Sequence, residues 1–329
     1  MSPPNRSKGE LRRGAQREGS PGPTSAVAFA YHGVGARCLR VLRAHDIEVR
    51  LVVTHDDDPQ ETLWFERVAD VARTYALPTI APADPNAADV VARIASCEPD
   101  FLFSFYYRKM LGAPLLALPR RGALNMHGSL LPRYRGRAPV NWAVLHGETH
   151  TGATLHYMEA KPDAGDIIGQ QAVPILPDDT ARDVLDKVAV AAEIVLDAAL
   201  PGLVAGTAPR VPQDLAAGSY FGGRRPEDGR IDWTMSAGRI HDLVRAVAPP
   251  YPGAFTTLRG RPARVLATRV ADPSTAPATP ALAVIDDRIV ARCGGGGTLA
   301  LYSLEIDGAP VDARGFAARF GHGPVSLDG

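Results

Sequence analysis

The chain has 329 residues, enough for two domains of ordinary size, and its 45% apolar and 22% charged residues are those of a globular protein. Thirty-six Lys and Arg balance thirty-six Asp and Glu; five of the positives and two of the negatives lie in residues 1–24, leaving 31 against 34 elsewhere. A surface that grips a nucleic-acid backbone needs a basic field, so no nucleic-acid partner is expected.

Residues 1–24, MSPPNRSKGELRRGAQREGSPGPT, lack the apolar core of a signal peptide and read as a disordered tail. Ala26–Tyr31 (AVAFAY) is a continuous apolar run of the kind found in a central parallel strand. HGVG follows as a tight turn, and ARCLRVLRAH has helical spacing. HGVG is not a dinucleotide-binding loop, because Cys38 stands where the third glycine would be. IEVRLVVT is a second strand, THDDDPQ an acidic loop, FERVADVARTYA a helix and LPTIAP a short extended piece. DVVARIASCEPD is a third helix, Phe101–Phe105 the next strand, and Ala123–Met126 another short one. This alternation predicts an α/β fold with a doubly wound, mostly parallel, Rossmann-like sheet.

ATLHYME alternates like a strand, KPDAGD is a turn-rich loop, and DIIGQQAVPIL is extended. Asp179 and Thr180 are good caps for a helix that keeps its apolar spacing to Leu200, where PGLVAG closes it. The nearest thing to a membrane span, residues 188–206, contains Glu193, Asp197 and Pro201, so a buried amphipathic helix is expected there and no membrane insertion. Residues 213–233 are Gly-rich and polar, as in an interdomain crossing. SAGRIHDLVRAV is a short helix, and several short β-like runs after it predict a small barrel or sandwich. The expected division is a tail at 1–24, a first domain at 25–212 and a second at 213–325. Three cysteines, at 38, 97 and 293, form no Cys-x-x-Cys pair and no cluster with histidine, so no metal site is expected and a reducing, cytoplasmic setting is the default.

The chemistry-bearing stretch is NMHGSLLPRYRGRAPVNW, residues 125–142, too rich in Pro, Gly and Arg for a core element. It follows a strand end, where α/β enzymes keep their sites. Asn125 and His127 are two apart, so on a strand they share a face. An amide donor beside an imidazole suits the stabilisation of an oxyanion and the movement of a proton, although His127 can also be read as an ordinary loop histidine. Asp163 can be read as a turn former or as the carboxylate that orients His127 and raises its pKa.

The string Asn125-Met126-His127-Gly128-Ser129-Leu130-Leu131-Pro132, with the distant Asp163, resembles the signature of the folate-dependent formyltransferases. AFAYHGVGARCL, FSFYYRKM, RYRGRAPVNWAVLHGET, KPDAGDI, SYFGGRRPEDGRIDW and VRAVAPPYPGAF are similar to one branch, the formyltransferase half of the bifunctional UDP-4-amino-4-deoxy-L-arabinose enzyme of polymyxin resistance and lipid A modification. The likeness runs from about residue 26 to about 270, and the chain stops short of a second, decarboxylase half, so a stand-alone form is expected.

The resemblance implies 10-formyltetrahydrofolate as donor, no metal, and a C-terminal open β-barrel, OB-like in character. It implies that Asn125 stabilises the oxyanion, that His127 is the general acid/base and that Asp163 holds it. It also implies that Lys109, Met110, Leu111, Arg137 and the loop Glu159, Ala160, Lys161, Pro162, Asp163 line the folate site. The acceptor implied is a nucleotide-linked amino sugar, with Asn141 and Trp142 matching the sugar branch. Arg224 and Arg225, in the crossing, are candidates for its diphosphate. Methionyl-tRNA formyltransferase is the competing reading, opposed by the acidic His55-Asp56-Asp57-Asp58 where such enzymes carry a basic insertion. A binding relic without turnover is opposed by the retention of Asn125, His127 and Asp163.

Overall fold

The computed structural model describes residues 22–57 and 63–327. The expected tail at 1–24 lies almost wholly outside the described residues, as does the end of the acidic loop from residue 58.

The first strand, β1 (Ser25–Ala30), is buried at all six positions, as a strand covered on both faces must be. Helix α1 spans His32–Ala44, one turn earlier than expected. HGVG is therefore the first helical turn: the Gly35 N–H already bonds the Tyr31 carbonyl, 3.1 Å away. The alternation continues through β2 (Glu48–Val53), α2 (Val68–Thr74), β3 (Thr79–Ile80), α3 (Ala88–Ala95), β4 (Phe101–Phe105), α4 (Ala113–Leu116) and β5 (Gly122–His127). After a loop come β6 (Arg135–Gly136), α5 (Pro139–Leu145), β7 (His150–Tyr157), β8 (Ile167–Pro174) and α6 (Ala181–Ala205).

The large sheet runs β3-β2-β1-β4-β5-β7-β8. Its first five strands are parallel, and β7 and β8 are antiparallel additions. Strand order reverses between β1 and β4, so the crevice beyond their carboxyl ends is where such sheets hold ligands.

Helix α6 opens on the expected Thr180 cap, a capping box with Asp183. It does not stop at Leu200 but runs through Pro201 to a left-handed Gly206. Leu200 and Leu203, on either side of the proline that lacks a backbone donor, are both buried, and the Arg121 guanidinium donates to the Leu203 and Val204 carbonyls at the helix end. By length and composition α6 is able to cross a membrane; here its apolar side, including Val184, Val188, Ala192 and Leu196, belongs to the core packed on the large sheet.

The crossing carries β9 (Tyr220–Phe221), which pairs with β6, and leads to α7 (Ala237–Val247). Then come β10 (Ala254–Leu258), β11 (Arg261–Asp272), β12 (Ala281–Ile285), β13 (Arg288–Arg292), β14 (Thr298–Ile306), β15 (Ala309–Pro310), α8 (Ala313–Phe320) and β16 (Val325–Ser326). They form an antiparallel sheet, β10-β11-β14-β13-β12-β16, curled into an open half-barrel around Trp233, Val265, Leu282, Leu299 and Phe316. Asp286 and Asp287, both left-handed (φ 48° and 55°), make the two-residue turn between β12 and β13. Helix α8, capped by Asp312, is an element the sequence reading did not anticipate.

Helices α5 and α7 join the two cores. The Asn141 amide donates to the Ala246 carbonyl at 2.8 Å, and His241 reaches the Pro177 carbonyl at 3.0 Å.

Candidate active site

Alternation on β5 sorts its side chains. Leu124 and Met126 face the core shared with α1 and α6, while Ala123 belongs to the opposite apolar cluster with Leu102, Leu111 and Leu115. Asn125 and His127 share the face of Ala123 and continue it to the strand's carboxyl end.

The His127 Nε2 lies 2.8 Å from the Tyr134 carbonyl, which only accepts, so Nε2 carries the proton of the neutral ring. Nδ1 is then the nitrogen free to take a proton, and it faces Asp163 Oδ1 at 3.6 Å. This is an ion-pair distance, longer than a hydrogen bond. Burial pushes the His127 pKa down, against the upward pull of Asp163 and the Tyr134 carbonyl, and the net shift is downward. The expected rise therefore does not occur: the ring is 6% exposed, and desolvation of the imidazolium outweighs the carboxylate.

Asp163 stands in the loop after β7 with a left-handed backbone, φ 53°. Its Oδ2 accepts the Gly136 N–H at 2.8 Å. Its Oδ1 lies 3.6 Å from His127 Nδ1, 3.6 Å from His156 Nε2 and 3.5 Å from Asn125 Nδ2. Burial opposes ionisation of this carboxyl, yet His127, His156 and the Gly136 N–H together hold its pKa well below the usual carboxylate range. Two features pin the loop. Gln213 Nε2 donates to the carbonyls of Asp163 and Gly165, at 3.1 and 2.6 Å. A Cβ on Gly165 would stand 2.1 Å from the Tyr157 carbonyl oxygen, so only glycine lets the loop pass so close to β7.

His156 is the residue the sequence reading missed. It pairs with Asn125 in the β5–β7 register and is 1% exposed. Its Nδ1 donates to the Tyr157 carbonyl at 2.7 Å, which leaves Nε2 to accept the Asn125 amide at 3.2 Å. The signal was present: a histidine in an alternating strand, opposite the Asn-x-His strand and seven residues before Asp163. Around these groups Tyr106, Tyr134 and Ala138 share the left-handed backbone of Asp163, a clustering that marks functional sites.

The segments matched to the donor site fall as follows. Lys109 and Met110 are exposed and Leu111 is buried, and the Lys109 ammonium donates to the Pro82 and Ala83 carbonyls at 3.1 and 2.5 Å. Glu159, Ala160 and Lys161 are exposed and Pro162 is half-buried. Met158, just before them, packs on the same cluster as Leu111, so both segments adjoin the face that carries Asn125 and His127. Arg137 is exposed, next to the Gly136 that binds Asp163. Asn141 is buried against α7. Arg224 is half-buried over the Trp142 ring at 4.9 Å, and Arg225 is exposed. Among the described residues no group of three or more His, Cys, Asp or Glu is placed to hold a metal.

Solved structures share this architecture. An N-formyltransferase from Helicobacter canadensis, crystallised with folinic acid and dTDP-3-aminofucose, matches 85% of this chain and 98% of its own with a TM-score of 0.65 at 16% identity. WlaRD, a sugar 3N-formyl transferase solved in the presence of dTDP and 5-N-formyl-THF, matches 86% of this chain and 98% of its own with a TM-score of 0.66 at 16% identity. A sugar N-formyltransferase from Shewanella sp. FDAARGOS_354 matches 72% and 93% with a TM-score of 0.58 at 17% identity. At such identities the likeness establishes the fold. The sequence itself matches the formyl transferase domain over residues 35–200 and the formyl transferase C-terminal domain over residues 224–321. The chain belongs to the formyl transferase family and is a folate-dependent formyltransferase.

Proposed function

We propose that the enzyme transfers the formyl group of 10-formyltetrahydrofolate to the amine of a nucleotide-linked amino sugar. One observation carries the assignment of the site: Asn125, His127 and His156 each bring a nitrogen to within 3.5–3.6 Å of one carboxylate oxygen of Asp163, at the end of β5.

When bound, the donor supplies a formyl carbon attached to a nitrogen that can leave. The Asn125 amide is held by His156 Nε2 at 3.2 Å and, more weakly, by Asp163 Oδ1 at 3.5 Å; the formyl oxygen, as it gathers negative charge, takes the N–H that leaves the longer contact. His127 Nδ1, neutral before reaction, accepts the proton shed by the acceptor amine, and the ionised Asp163 stabilises the imidazolium so formed. The same Nδ1–H then returns the proton to the departing nitrogen, so His127 ends the cycle neutral. Lys109, Met110, Leu111 and the loop from Glu159 to Asp163 line the donor in this reading, since Leu111 and the root of the loop adjoin the same face of the sheet.

The sugar acceptor is supported by the likeness of RGRAPVNW and SYFGGRRPEDGRIDW to the amino-arabinose branch, and by the dTDP-linked compounds in the related crystal structures. The first points to UDP-4-amino-4-deoxy-L-arabinose and so to lipid A modification in a cytoplasmic pathway, the second to dTDP sugars. Release of tetrahydrofolate, followed by absorbance, is the test. Release is expected with UDP-4-amino-4-deoxy-L-arabinose and not with charged initiator tRNA. Release with tRNA alone refutes the acceptor class, and release with dTDP-amino sugars alone corrects the nucleotide.

A further inference from the structure

His127 is held in one tautomer against a nearby charge. The ionised Asp163 faces Nδ1 at 3.6 Å and draws the ring proton to that side. A proton there would leave Nδ1 unable to accept another. The Tyr134 carbonyl, closer at 2.8 Å, keeps the proton on Nε2 instead. Whatever fixes that carbonyl therefore decides whether His127 starts as a base.

Tyr134 is a non-glycine residue in the left-handed region, φ 58°, a conformation that persists only where the surrounding structure enforces it. Three sets of bonds do so. Ser129, fully buried, folds residues 129–134 back on themselves: its hydroxyl donates to the Arg133 carbonyl at 2.7 Å and lies 3.3 Å from that of Tyr134. Ser219, from the interdomain crossing, accepts the Tyr134 N–H on its hydroxyl at 2.8 Å, and its own N–H donates to the Pro132 carbonyl at 3.2 Å. The third set comes through the sheet. His127, Thr154 and Gln170 stand directly opposite one another on β5, β7 and β8, a row across three strands on one face. The Thr154 hydroxyl donates to the Ser129 carbonyl at 2.6 Å and accepts the Leu131 N–H at 3.2 Å and the Gln170 amide at 2.9 Å. The same Gln170 nitrogen donates to the Leu131 carbonyl at 2.8 Å. The hydroxyl hydrogen, both hydroxyl lone pairs and both amide hydrogens are then used, so the row has one bonding arrangement.

We infer that Gln170, acting through Thr154, is a positioning residue for the formyl transfer: it holds the Ser129–Tyr134 loop so that the Tyr134 carbonyl keeps His127 in the tautomer that can accept a proton. The inference rests on the reading of His127 as the group that moves the proton. Gln170 is exposed, so a substitution there opens no cavity in the core, and its effect on the ring passes through the loop.

The test pairs a tautomer measurement with kinetics on the full chain. Ring-nitrogen NMR of histidine-labelled enzyme is recorded where the ring is neutral, the His127 signals being identified by their loss in His127→Gln. The unaltered enzyme is expected to carry the proton on Nε2. Gln170→Met keeps the bulk and removes both donors. It should move a large share of the proton to Nδ1 and lower kcat by about 5- to 50-fold, with KM for 10-formyltetrahydrofolate within about twofold. Gln170→Lys restores donors at similar reach and should recover most of kcat and the Nε2 tautomer. Gln171→Met, one residue along β8 and on its other face, should change neither. An unmoved tautomer in a folded Gln170→Met enzyme overturns the inference, as do equal losses of kcat in the Met and Lys variants. A moved tautomer with unchanged kcat upholds the positioning of the ring and refutes His127 as the proton carrier.

Discussion

Replacing His156 by Phe tests whether the site depends on a residue that need not touch either substrate. The ring shape is kept, but two hydrogen bonds are lost, those to Asn125 at 3.2 Å and to the Tyr157 carbonyl at 2.7 Å. The side chain is 1% exposed, so water cannot replace them, and an orphaned buried partner costs about 1–3 kcal/mol. For a domain of this size each kcal/mol lowers Tm by about 2–4 °C. The larger effect is on Asn125. Its amide has two acceptors, the His156 Nε2 at 3.2 Å and, more weakly, Asp163 Oδ1 at 3.5 Å; without His156 it turns toward Asp163 alone and is no longer set for the formyl oxygen. Loss of an oriented oxyanion donor costs about 10²–10³ in kcat. In the assay of tetrahydrofolate release, His156→Phe should lose most of that while the affinity for folinic acid, measured separately, stays within a few-fold. His156→Gln, whose carbonyl can accept from Asn125, should recover part of kcat without recovering the bond to Tyr157. A fully folded His156→Phe enzyme with unchanged kcat would show that Asn125 needs no positioning from β7. Equal losses in Phe and Gln variants would show a structural role only.

His127→Ala should lower turnover by about 10²–10⁴-fold and leave folinic acid binding largely intact; near-normal turnover removes His127 from the chemistry. Asp163→Asn removes the one group that pulls the His127 pKa upward by charge, so the acid limb of the kcat–pH profile should move to lower pH while the plateau falls; an unmoved limb refutes the coupling. His127 is buried with its pKa lowered, so the unfolded chain binds the extra proton. Stability should therefore fall as pH drops below about 6.5, and Tm against pH should be flatter there in His127→Gln. Gly165→Ala places a carbon 2.1 Å from a backbone oxygen that cannot swing away, so the Asp163 loop must move; a loss of kcat larger than the loss of Tm implies is expected. Full activity in that variant would mean the loop tolerates displacement.

What could be seen in the sequence was whatever repeats locally. The buried runs at β1 and β4 and the capping residues of α6 announced their elements, because burial on both faces and an N-terminal cap leave marks within a few residues. Asn125 and His127 were legible for the same reason, being two apart on one strand. The end of α6 was not, because its carbonyls are held by Arg121, more than eighty residues earlier in the chain. Nor was the role of His156. Nothing in ATLHYME says that it will lie beside Asn125; that follows from antiparallel pairing across a connection of more than twenty residues that includes β6 and α5. The direction of the His127 shift failed for a related reason. A neighbouring carboxylate can be guessed from sequence, but the depth of burial that outweighs it depends on the whole fold.

The two shifts at this pair have a joint consequence. His127 is held below its ordinary pKa and Asp163 below its own, so near neutral pH the resting site holds a neutral imidazole beside an ionised carboxylate. A rise in the imidazole pKa, as first expected, would have stored the proton on His127 before the amine arrived and left it unable to act as a base. Burial prevents that, and the carboxylate waits at 3.6 Å, where its attraction matters most once Nδ1 has gained a charge. The other oxygen, Oδ2, accepts the Gly136 N–H at 2.8 Å, so the negative charge that will meet the imidazolium is held in place by a donor that takes no proton in the reaction. Stabilisation is thus reserved for the state in which the proton has moved, which is the condition for raising kcat and not merely tightening binding.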